Sequence, residues 1–133
     1  MLTAATISQA VAVEKAMYLA LTELEELTQE LSQAVNRGDN VSVHMFMAMR
    51  QDPLDQLMKY KASLNRLCAG LPEADAQLLH QILEQPSPPT CAGGEALAQQ
   101  VSRNRALWER VVRADRQVNM KLTGSSSFYT RQP

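Results

Sequence analysis

The stretch AATISQAVAVEKAMYLALTELEELTQELSQAVN, residues 4–36, decides the fold. Ile7, Val11, Met17, Leu21, Leu24, Leu27, Leu31 and Val35 recur at steps of three or four with one wider gap. That spacing gathers side chains on one face of a helix and leaves the other face polar. At about 1.5 Å per residue the segment predicts a rod of roughly 50 Å. Arg37-Gly38 supplies the stop, because glycine accepts the positive φ of a helix C-terminus, and Asp39 or Asn40 can cap the next helix.

Working outward, Val41 to Met49 is the one ambiguous segment. Val41, Val43, Met45, Met47 and Met49 alternate with period two, the pattern of a strand. No partner strand is in prospect elsewhere, and Met and Ala favour helices, so the segment reads as helix. Asp52-Pro53 resembles an N-cap followed by proline at the first helical position, which either restarts a helix or kinks a continuous one. Leu54, Leu57, Met58, Lys61, Leu64, Leu67 and Cys68 carry it to Gly70. Leu71-Pro72-Glu73 forms a turn before a short helix to about Gln85. Prolines and glycines between Pro86 and Gly94 exclude regular structure there.

The last helix is predicted from Glu95 to about Leu122, with Leu97, Val101, Trp108, Val111, Val118 and Leu122 on one stripe. Asn104 and Asp115 interrupt it where apolar residues belong. Polar residues in an apolar seam lower stability and specify pairing. They also leave a seam that a missing helix could complete. The two long helices carry opposite charge. Residues 1–36 hold five acids and one base, a net of −4; residues 95–133 hold seven bases and three acids, a net of +4.

The expected fold is therefore all-α: an antiparallel bundle of three long helices plus short ones. Residues 1–122 form the bundle domain, and residues 123–133 a flexible Ser-rich tail bearing Phe128 and Tyr129. The chain has 133 residues, 45% of them hydrophobic and 20% charged, which suits one globular domain and argues against disorder.

Chemistry is sparse. His44, Cys68, His80 and Cys91 do not fall at the spacing zinc sites favour, so no metal is expected. No glycine-rich phosphate loop or nucleophile elbow is present, and no enzyme or cofactor is expected. A net charge of −1 argues against nucleic acid as the main partner. Two unframed cysteines, the lack of a basic leader and the lack of a bilayer-length apolar run predict a cytoplasmic protein with no membrane span. Met45, Phe46, Met47 and Met49 cannot all face inward on one helix; they fill core gaps or present an adaptable surface to a partner. Arg103, Arg110, Arg113 and Arg116 form a solvated face, pair with the acidic first helix, or dock an acidic partner.

Four stretches carry a resemblance to a known family. They are Leu21-Thr22-Glu23-Leu24, Arg37-Gly38-Asp39, residues 54–59 (LDQLMK) and residues 113–122 (RADRQVNMKL), together with a Gly-Ser-rich end bearing a Tyr. With the order long helix, Gly-Asp break, middle helix and a last helix bearing an aromatic and an Asn near its end, the chain resembles the FlgN-type flagellar export chaperones. The resemblance implies a small cytoplasmic chaperone without catalysis. Its client would be the amphipathic C-terminal helix of a hook-associated protein, held for type III export in an apolar seam. On that reading the last helix binds the client through Leu107, Trp108, Val111, Val118, Asn119 and Leu122, with Asn119 the residue carried over from the family motif. The alternative is a structural bundle that homodimerises through the same seam.

Overall fold

The computed structural model describes the backbone of residues 2–84 and 93–131 and the side chains of residues 2–84 and 93–122. Among the described residues it contains five helices and no strand: α1 (Ala4–Arg37), α2 (Asn40–Met49), α3 (Gln51–Ala69), α4 (Glu73–Glu84) and α5 (Gly94–Arg131). The expected all-α class holds. Most of the expected Pro-Gly loop, and the side chains of the expected tail at 123–133, lie outside the described residues.

Local chemistry explains where the helices start and stop. The Thr3 hydroxyl caps α1 by accepting the Thr6 N–H at 3.1 Å. At the other end Gly38 takes φ 69°; its N–H donates to the Val35 carbonyl at 3.1 Å, and Asp39 N–H to that of Ala34 at 3.0 Å. These bonds satisfy carbonyls that the helix end would otherwise orphan. Asp39 then caps α2, accepting from Ser42 N–H at 3.1 Å and Ser42 Oγ at 2.6 Å. Those bonds pull its carboxyl below the ordinary value.

The period-two segment is helical, and its alternating residues scatter around the helix. Val43 is buried, whereas Val41, Met45, Met47 and Met49 are exposed. The start of α3 differs from expectation. Asp52 is not its cap: Arg50 remains in the right-handed helical region, and α3 begins at Gln51. Proline is tolerated in a first turn because its missing N–H would be an orphan in any case, while its ring cannot clear the preceding turn. Arg50 alone separates the two helices, its N–H donating to the Phe46 carbonyl at 3.1 Å and its carbonyl accepting from Leu54 N–H at 3.3 Å.

Three apolar layers fix the directions of the long helices. In the first, Ile7 and Ala10 of α1 meet Leu64 of α3, Leu79 and Ile82 of α4, and Leu97 and Val101 of α5. In the second, Leu21 and Leu24 meet Leu107 and Val111 of α5, with Leu54 and Leu57 of α3 packed alongside. In the third, Leu31 and Ala34 meet Val43 of α2 and Val118 of α5. As α1 numbers rise, α3 numbers fall and α5 numbers rise. Successive long helices are thus antiparallel, and α1 and α5 lie side by side in parallel. Both α3 and α5 pack on α1, yet their Cα atoms stay more than 8 Å apart among the described residues.

Candidate groove between α3 and α5

Keeping α3 and α5 apart leaves a groove with α1 as its floor and α4 across one end. Its volume is about 470 Å³. Met17 and Leu21 line the floor, Leu54, Leu57, Met58 and Leu64 one wall, and Val101 and Trp108 the other; Leu83 lies at the α4 end. A concave, largely apolar site with a few polar groups is the ordinary form of a binding site.

The polar groups are specific. Glu14 sits on the floor, only 5% exposed. Asn104 Nδ2 donates to its carbonyl oxygen at 2.7 Å and to its Oε2 at 2.5 Å, and Gln100 Nε2 donates to Asn104 Oδ1 at 3.1 Å. Burial pushes the Glu14 carboxyl up from its ordinary value, and the Asn104 bond opposes that in part. Glu14 Oε1 accepts no hydrogen bond from any described residue. Lys61 of α3, Arg105 of α5 and His80 of α4 also line the groove. Arg105 donates to the Glu84 carbonyl, joining α5 to the end of α4. His80 Nε2 lies 3.8 Å from Glu84 Oε1. Burial pushes the Cys68 thiol up, which leaves it a weak nucleophile. Among the described residues no three His, Cys, Asp or Glu side chains stand close enough to hold a metal ion.

The six residues singled out on the last helix separate into four environments. Leu107, Val111 and Val118 are buried, in the layers they share with α1, so a client could reach them only by displacing that helix. Leu122 is half-buried at the third layer, and Asn119 is exposed with its Nδ2 3.4 Å from Asp115 Oδ2. Trp108 alone lines the groove, with 45% of its surface exposed. The α3 wall and the α1 floor were not anticipated as a surface. One signal for them existed: Glu14 falls seven residues after Ile7 and seven before Leu21, a charge inside the apolar face of α1.

The arginine stripe meets α1 at one point. Arg110 pairs with Glu25, Nε to Oε2 at 2.9 Å, while Arg103, Arg113 and Arg116 are exposed. Lys121 Nζ reaches Ser32 Oγ at 3.1 Å. No helix among the described residues is long and apolar enough to cross a membrane. The chain matches no family model, no curated protein and no solved structure.

Proposed function

We propose that the protein is a helix-binding scaffold, a chaperone or adaptor that receives an amphipathic helix of a client protein between α3 and α5. The observation that carries this reading is the gap itself: two helices flank α1 with their Cα atoms more than 8 Å apart among the described residues, and apolar side chains from both line the space between them. A fourth helix laid there would complete a bundle of the usual kind, with apolar seam facing apolar seam. Trp108 and Met58 at its edges are 45% and 72% exposed, so the surface such a helix would cover is present in the free protein. The FlgN-type resemblance supplies the first client to try, the C-terminal helix of a hook-associated protein.

The test is a titration of the full chain with such a peptide, followed by Trp108 fluorescence and calorimetry, with light scattering on the free protein. A saturable one-to-one shift, lost in Met58→Asp, is the expected result. A stable dimer whose Trp108 is already shielded, with no response to peptide, would sink the reading and leave the homodimeric bundle.

A further inference from the structure

The polar groups of the groove say more about its occupant than its apolar walls do. We infer that the partner is a short acidic helix with one long cationic side chain set into its apolar face, directed at Glu14. This rests on the helix-binding reading above and adds the partner's chemistry to it.

Glu14 lies among apolar side chains, and its Oε2 is fixed by Asn104 while Oε1 takes no hydrogen bond from the described residues. A carboxylate held in this way has one acceptor left for an incoming donor. A purely apolar helix laid over it would seal off that acceptor, at the cost of an unsatisfied buried charge. A lysine or arginine reaching down from the partner replaces the lost water with a charge-assisted bond. At the α4 end Glu84 also lines the groove, 3.8 Å from His80 Nε2, but on the two long walls the charges are opposite in sign to Glu14. Lys61 on the α3 wall and Arg105 on the α5 wall flank the floor, so acidic residues on the two shoulders of the partner helix meet a cation on each side. On the α3 wall the groove runs from Leu54 to Cys68, or about 21 Å at 1.5 Å per residue, which accommodates roughly four turns of helix. The partner's pattern is therefore apolar residues at three- and four-residue steps, a central lysine on that same face, and glutamates bordering it.

The probes are three synthetic 18-residue helical peptides added to the full-length protein. The first has a leucine face with central Lys and Glu shoulders. The second has Leu in place of the central Lys, and the third has Lys shoulders. Calorimetry should show the first binding at least tenfold tighter than either other peptide. Glu14→Gln should erase the preference for the central Lys while the second peptide still binds. Lys61→Glu should narrow or reverse the preference for acidic shoulders. Circular dichroism melts would confirm that both variants fold, which is expected because one is isosteric and the other lies at an exposed position. Equal binding of all three peptides, lost together in Met58→Asp, would overturn the inferred chemistry and leave helix binding standing. Failure of every peptide to bind, with the protein folded, would overturn both.

Discussion

Asn104 is the residue on which the α1–α5 seam depends. Its position in an apolar stripe is legible from sequence, and so is the principle that such a residue specifies a pairing. Its partner is not, because nothing in a one-dimensional pattern joins Asn104 to a carboxylate 90 positions earlier. The bond has a measurable consequence. Asn104→Leu removes the donor from a buried carboxylate and should cost about 1–3 kcal/mol in urea unfolding. Replacing Glu14 with Leu as well removes the stranded charge, so the double variant should be more stable than Asn104→Leu alone. Equal or lower stability of the double variant would show that the two side chains are not coupled. Glu14 also predicts a pH dependence. Its carboxyl pKa is raised above the ordinary 4.5 by burial, so the folded state holds that proton more tightly than the unfolded chain does. The stabilisation is complete below about pH 4.5 and is lost as pH rises through the raised value. Glu14→Gln stays neutral and can still accept from Asn104. Its unfolding free energy should therefore fall less than that of the native protein between about pH 4.5 and 7. Superimposable pH profiles would mean that Glu14 does not contribute.

At the scale of elements, boundaries were legible wherever a local rule sets them. Arg37-Gly38-Asp39 marks the α1 stop and the α2 cap from chemistry within a few residues, and the structure forms both there. Asp52-Pro53 misled for a physical reason. Proline fits any position of the first turn, so its presence locates a helix start only to within a residue or two. The α2–α3 junction it accompanies is held by a longer-range bond that the sequence does not announce: Arg50 Nη2 to Asp115 Oδ1 at 2.5 Å, with the Arg50 side chain 16% exposed. This explains the second polar interruption of the α5 stripe. Asp115 ties α5 to the α2–α3 corner as Asn104 ties it to α1. Asp115→Ala should cost about 1–3 kcal/mol by leaving a largely buried guanidinium without its acceptor. In a double-mutant cycle with Arg50→Ala, the paired loss should be smaller than the sum of the single losses. Additive losses in chemical denaturation would remove the corner contact from the account.

The whole molecule is built from connections that sequence alone constrains only partly. Amphipathic periodicity gives the long helices and their apolar faces, and short links make successive helices antiparallel. Periodicity does not say which two of the three lie closest. The oppositely charged chain ends left pairing with each other as one option among several; α1 and α5 are neighbours, although Glu25–Arg110 is the one ion pair between them among the described residues. Apolar layers and the Glu14–Asn104 bond hold the pair; surface ion pairs contribute little. The groove was illegible for the same reason, since it exists only because α3 and α5 each choose α1 over one another. The parallel arrangement is testable by distance. The side-chain bonds joining 14 to 104, 25 to 110 and 32 to 121 advance together along both helices. Spin labels at the exposed positions Ala12 and Arg103, in a chain with both cysteines replaced by Ser, should therefore be close. Moving the second label from Arg103 to Arg116 shifts it by thirteen residues, or about 20 Å along the α5 axis. Pulsed electron resonance should show the separation from Ala12 grow by roughly that amount, reduced by the fixed distance between the helices. If the Ala12–Arg116 pair is instead the nearer, α5 runs the other way. The groove would then lose the Glu14–Asn104 pair that sets its polar chemistry.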